Sequence, residues 1–447
     1  MTKLLIANGA DINKKILKGS VLHIAVSKNL EEMTEFLLMN GTNHTIADMN
    51  NKIPLSYAIQ NRNVDISKLL ILHGSDVNFK DSDMKSLIHY ATLDNSQKIV
   101  ELLILFGANV NATDRMNNTA LHYAVMQGNK DIIKILNIYG ANPNIKNIDG
   151  YYPIHLATKV NNEEVLESLL SNNMKYQLDI DSIRKDGLTS LHMAVIQNSC
   201  EIVKFLILHG ANLNVKDKEN YTPFQNAIRN YYKEIIKIFI LYGENVNTSV
   251  ENGLTALHSA ISYGDKEMVE FLISHGIDIN CRLETNGCSV LHFSLMLEPS
   301  LDSQEIFEFL INNGADINAK DINEKSILHY AIKYNDIKAV EFLISYDVNT
   351  TDKKGQTALH YAIIKYRIEL INFLVTHGSD IDAKDINGRT PLHIAVQHNR
   401  KKIVRFLISK GADPDIKDEY GKTPLCIAIE NNYNNIVSLL ISYDKYV

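Results

Sequence analysis

Sixteen histidines are the first residues here that could do chemistry, because imidazole serves as general base, proton shuttle or metal ligand near neutral pH. Ten of them, His23, His89, His122, His155, His192, His258, His292, His329, His360 and His393, fall at one recurring position, three residues after a Ser or Thr in nine cases. Consecutive copies lie a full repeat apart, too far to share a metal ion with bonds near 2 Å. That pattern suits hydrogen bonding within and between turns better than catalysis. His73, His209, His275 and His377 recur just before a Gly, near a helix C-terminus, where an imidazolium is favoured. Only His44 and His398 stand outside both sets.

Carboxylates follow the same rule. Asp48, Asp81, Asp114, Asp321, Asp352, Asp385 and Asp418 occupy one position between helices, one per unit, so they do not gather into an acid–base pair. Gly421-Lys422-Thr423 has the ending of a phosphate-binding loop, but the Gly required five residues earlier is Ile416. No H-E-x-x-H, G-x-S-x-G, C-x-x-C or kinase H-R-D run is present. Cys200, Cys281, Cys288 and Cys426 are too scattered for a disulfide framework, and the gap between Cys281 and Cys288 is not a zinc-finger spacing. The expectation is no catalytic, metal or cofactor-binding residue, no cofactor and no enzyme.

The elements that place these residues follow from the period. With Thr390-Pro391-Leu392-His393-Ile394-Ala395 as template, equivalent segments begin at Ser20, Ile53, Ser86, Thr119, Tyr152, Thr189, Thr222, Thr255, Ser289, Ser326, Thr357 and Thr423. Eight of the twelve intervals are 33 residues, which fixes the phase. Thr390 is a helix N-cap and Pro391 a first helical residue, where a missing N–H costs little. Ala395 is small enough to let a paired helix approach. A second helix, Lys401 to Ser409, is apolar over too wide an arc to be covered from one side. Gly411 ends it where the chain must turn left-handed. Gly ends eleven of fourteen second helices, with Asn173, Asp347 and Asp444 as the exceptions.

These features resemble the ankyrin repeat, with its 33-residue period and T-P-L-H-x-A core. The resemblance covers residues 15 to 447 as thirteen units, numbered repeats 1 to 13 below, preceded by a partial unit at 1 to 14 that lacks its first helix. It implies an all-α repeat solenoid of stacked helix-turn-helix pairs with β-hairpin fingers, one array from residue 1 to 447. Irregular lengths fall in repeat 5 around Asn173 to Lys185, repeat 8 near Cys281 to Asn286, repeat 9 around Glu298 to Ser303 with Pro299, and repeat 10 near Asp347. Repeats 9 and 10 should be weak seams, with residues 296 to 352 opening before 186 to 280.

Composition narrows the partners. A net charge of -7 argues against nucleic acid. No apolar run suits a signal peptide or a membrane span, which points to the cytoplasm or nucleus and to no membrane insertion. The resemblance implies a scaffold or adaptor that binds a partner protein of unknown identity on its concave face. The alternatives are a substrate-recognition subunit of a ubiquitin ligase or other multi-protein complex, and, more weakly, an enzyme. A C-terminal helix with an ordinary apolar pattern raises end-to-end self-association as a further expectation. Tyr57, Tyr90, Tyr123, Tyr330 and Tyr361 fall immediately after the motif His position, an inward site in the family, whereas Tyr151, Tyr221 and Tyr420 lie on fingers and Tyr263, Tyr334 and Tyr366 near the end of first helices. The concave strip of finger residues and first-helix ends offers Leu188, Gln197, Tyr221, Arg229, Leu254 and Tyr263, then Lys333, Tyr334, Arg389 and His398. Such side chains either anchor a partner or simply stand in solvent.

Overall fold

A computed structural model describes residues 11–15, 19–170, 176–297 and 301–443, except the side chains of 301, 302 and 443. Among these residues 26 α-helices form thirteen pairs, and strand structure is limited to isolated bridges. The partial unit at 1 to 14, Asn173, Pro299 and Asp444 fall wholly or largely outside the described residues. Contacts divide the chain into two units, Met1–Ala227 with Lys237–Tyr242, and Ile228–Ile236 with Gly243–Val447. Within each, a first helix packs on its own second helix and on the first helix of the next repeat. The fold is an all-α repeat solenoid.

The first helix of repeat 12, Pro391–Gln397, shows why these residues make this element. Thr390 holds an extended backbone, φ -83 and ψ 166, and its hydroxyl accepts from the N–H of His393. The His393 ring returns the bond, its Nδ1 accepting from the Thr390 N–H at 3.1 Å. Two orphan donors are thus satisfied by one residue pair. Pro391 stands at the helix start, as do Pro54, Pro153, Pro223 and Pro424. In repeat 7, where Gln225 replaces histidine, its Oε1 accepts from the Thr222 N–H at 3.0 Å.

Motif alanines Ala58, Ala91, Ala124, Ala157, Ala194, Ala227, Ala260, Ala331, Ala362, Ala395 and Ala428 are all 0% exposed. A larger side chain there would overpack the seam between helices. Second helices bury residues such as Ile403, Val404, Leu407 and Ile408, and Gly411 follows at φ +92, a conformation costly for any residue with a Cβ. The irregular repeats differ as their lengths require. Repeat 9 has a short first helix, Val290–Ser294, and a long second one, Leu301–Asn312. Repeat 10 has a second helix of only seven residues, Ile337–Leu343.

Asparagine ladders reinforce the stack at the loops. Asn78 donates to the carbonyl of Gly107 at 3.0 Å and accepts from the N–H of Asn109 at 2.7 Å. Asn111 does the same with Gly140 and Asn142, and Asn349 with Gly378 and Asp380. A helix-ending carbonyl that would otherwise be orphaned is thereby satisfied by the preceding repeat.

Candidate functional site

The ten motif histidines are joints of the lattice. In each, Nδ1 accepts from the backbone N–H of the residue that opens the motif, as at His89 from Ser86 (3.0 Å) and at His122 from Thr119 (3.1 Å). This fixes the proton on Nε2. Nine of the ten Nε2 atoms donate to a carbonyl one repeat onward, as from His89 to Asn118 and from His393 to Lys422, both 3.1 Å. Burial lowers the pKa of all ten, to about 4 at His122, His155, His258 and His292. A neutral ring of one tautomer suits a joint. The second set is anchored otherwise: Nδ1 of His73, His209, His275 and His377 donates to the carbonyl four residues earlier, at 2.8 to 2.9 Å.

Finger aspartates are hubs. Oδ1 of Asp321 accepts from the N–H groups of Asn323 and Lys325, closing the finger. Its Oδ2 accepts from the Tyr330 hydroxyl at 3.0 Å. The same bond joins Tyr57 to Asp48, Tyr90 to Asp81, Tyr123 to Asp114 and Tyr361 to Asp352. Of these five tyrosines, expected inward, Tyr330 is buried and the other four are half-buried. Among the described residues no group of three or more His, Cys, Asp or Glu stands where it could hold a metal ion.

The strip residues are distributed over both units. Leu188, Gln197 and Tyr221 belong to the first. Leu188 and Tyr221 are half-buried at the base of their fingers, where the Leu188 carbonyl accepts from the Arg184 N–H and the Tyr221 carbonyl from His192. Gln197 is exposed, with Nε2 3.4 Å from the Lys159 carbonyl. The second unit holds the rest. Arg229 is exposed and Leu254 half-buried. Tyr263 is 68% exposed, its ring stacked on Tyr231 with centroids 4.4 Å apart and planes within 4°.

Further along the second unit, Lys333 and Tyr334 are half-buried and in contact, Nζ donating to the phenol oxygen at 3.1 Å. His398 is exposed at the end of its helix. Arg389 is not a free cation: its guanidinium grips the Asp385 carboxylate at 2.8 and 3.0 Å and reaches Gln397 at 3.1 Å. Fingers hold two further tyrosines. Tyr151 carries the Arg184 guanidinium over its ring at 4.1 Å, and Tyr420 is 77% exposed.

Sequence reading passed over Tyr231 and the backbone conformation of Tyr366. Both have positive φ, 49 and 57, at a lattice position held by Asn in repeats 1, 3, 5, 6, 10, 12 and 13 and by Gly in repeats 4 and 8. A bulky residue in this left-handed region is strained, and such strain gathers at functional sites. The signal was available: aligning the repeats puts a tyrosine where short polar residues or glycine belong.

A helix-pair lattice with histidine joints, alanine seams and glycine-closed second helices defines a helical repeat protein. A family model for ankyrin repeats matches residues 1–81, 63–147, 136–217, 201–283, 224–321, 291–385 and 366–447, so the chain belongs to the ankyrin-repeat family. Curated relatives match only short stretches. Notch-regulated ankyrin repeat-containing protein of Homo sapiens is 40% identical over 62 residues, 14% of this chain and 54% of that protein. The Danio rerio protein A of that name is 32% identical over 62 residues, covering 14% and 55%. Protein phosphatase 1 regulatory subunit 27 of Mus musculus is 34% identical over 56 residues, covering 12% and 36%. The chain thus spans about half, or less, of the length of these relatives. Ankyrin repeats are in general protein–protein interaction modules. Among the described residues no helix is long and apolar enough to cross a membrane.

Proposed function

We propose that this chain is a scaffold or adaptor that holds a partner protein on the concave face of its repeats, along the strip of finger residues and first-helix ends. The observation that carries this reading is the pair Tyr231 and Tyr263. A strained tyrosine supports a parallel ring that is 68% exposed, so the lattice has given up an easier residue to present an aromatic surface. Exposed, pre-positioned aromatic rings make interface anchors, because they bury a large area at little cost in side-chain freedom. The apolar sides of the helices are meanwhile occupied within the stack.

The test is affinity capture with the full chain, identification of the captured protein by mass spectrometry, and repetition with Tyr221→Ala and Tyr263→Ala together. Capture should weaken by about 2 kcal/mol or more, with helicity unchanged. Unaltered capture by the double variant would place the partner on another surface.

A further inference from the structure

Repeats 11 and 12 break the lattice's own rules at neighbouring positions. In repeats 2, 4, 5, 8 and 10, Asn63, Asn129, Asn162, Asp265 and Asp336 cap second helices, their side chains accepting from the first turn, whereas Leu30, Ser96 and Ser199 make no such bond. The corresponding residues in repeats 11 and 12 are Arg367 and Arg400, which make no side-chain cap. Arginine has no acceptor to offer an N-cap, and its charge opposes the positive end of the helix dipole. Among the described residues the Nε atoms of both arginines are buried without a hydrogen-bond partner, which burdens the fold further. Tyr366, one residue before Arg367, is strained at φ 57 and 40% exposed. Local rules broken together without gain to the fold mark a site kept for another reason.

These residues also touch. The Arg400 guanidinium lies 4.3 Å over the Tyr366 ring. An Arg367 Nη is 3.5 Å from the Lys333 carbonyl, and the Lys333 ammonium lies 4.7 Å from the Tyr334 ring. A continuous basic and aromatic strip therefore crosses repeats 10 to 12. The segments 365–369 and 398–402 carry five Lys or Arg and one carboxylate, Glu369. On the repeat 10 side, Asp336 is engaged in capping the Ala339 N–H. Arg389 adds no free charge because Asp385 neutralises it.

We infer that this strip is the docking surface for an acidic segment of a partner protein, whose carboxylates pair with Lys365, Arg367 and Arg400 while Tyr334 and Tyr366 cover its apolar stems. The inference rests on the partner-binding reading and adds the partner's chemistry. A guanidinium held on an aromatic face, as Arg400 is on Tyr366, is pre-oriented for carboxylates. A nucleic acid fits less well, because these cations are confined to a short strip of a chain with net charge -7 and do not track a long phosphate backbone.

The experiment measures fluorescence anisotropy of a fluorescein-labelled glutamate decapeptide against the full chain, with labelled oligothymidylate as comparator. The chain should bind the peptide saturably, and more weakly as NaCl rises from about 50 to about 200 mM. Arg367→Asn with Arg400→Asn restores the cap used elsewhere, so the variant should melt at the same temperature or higher while losing affinity about tenfold or more. No peptide binding by the unaltered chain, equal binding by the variant, or tighter binding of oligothymidylate would overturn the proposal. So would a lower melting temperature, which would show that the arginines serve the fold. A captured partner lost with the tyrosine pair but kept by the arginine variant would leave the partner-binding reading standing and remove this one.

Discussion

Repeat 4 and repeat 8 enter their first helices through the same Thr-x-x-His segment, yet their links onward differ. In repeat 4, His122 donates to the Tyr151 carbonyl at 3.3 Å, and Tyr123 donates to the finger aspartate Asp114 at 2.5 Å. In repeat 8, Nε2 of His258 is buried without a hydrogen-bond partner among the described residues. The finger positions that hold aspartate in repeats 2 to 4, 7 and 10 to 13 are Val250 in repeat 8 and Leu283 in repeat 9, and Phe293 stands where repeats 2 to 4 carry tyrosine. The finger that follows carries one extra residue near Cys281 to Asn286. Ring packing survives: His258 meets Phe293 edge-on at 5.2 Å, as His89 meets Tyr123 at 5.8 Å. Apolar spacing and polar linkage are thus separable.

Acid should level that difference with the largest effect. Every motif histidine has a folded pKa below its unfolded value of about 6.5, so the unfolded chain binds protons first as pH falls. Stability should be full above about pH 6.5 and decline steadily toward about pH 4, summing over ten sites. Urea denaturation across this range checks it, and a flat profile would contradict the neutral-ring lattice.

Single replacements resolve the two repeats. His122→Leu should cost about 2 kcal/mol, because it leaves the Thr119 N–H without its acceptor and the Tyr151 carbonyl with only its bond from the Asn147 N–H. His258→Leu should cost about 1 kcal/mol less, having only the Thr255 bond to lose. Equal losses in denaturation would mean the onward bond contributes nothing. Hydrogen exchange extends the contrast: residues 296 to 352, with the short second helix of repeat 10, should open before 186 to 280. The smallest effects concern the phenols. Tyr123→Phe should cost about 1 kcal/mol, whereas Phe293→Tyr should change stability by under about 0.5 kcal/mol, since Leu283 offers no carboxylate.

Much of this was readable from the chain. Thr390, Pro391, Ala395 and Gly411 each answer one local requirement, so repetition made cap, helix start, seam and turn legible together. The histidine joints were legible for the same reason. What spacing did not reveal was side-chain direction. The nine-residue gap from Asp114 to Tyr123 does not show that one reaches the other, and Arg389 reads as free until the finger folds it back on Asp385 four residues earlier. Arg367 and Arg400 were overlooked because a scan for apolar and glycine positions gives no weight to a cap residue of the wrong chemistry.

The joints also make the molecule self-reporting. Each motif ring holds one Nε2 proton, and nine of the ten are shared with the neighbouring repeat. Such protons exchange with solvent only when that junction opens. In a nitrogen-resolved NMR spectrum they should form a small set of slowly exchanging imidazole signals, one per junction. The His258 proton, with no carbonyl to pull it downfield, should stand apart from the others. Fraying could then be followed junction by junction along the chain, without substitutions that disturb the packing.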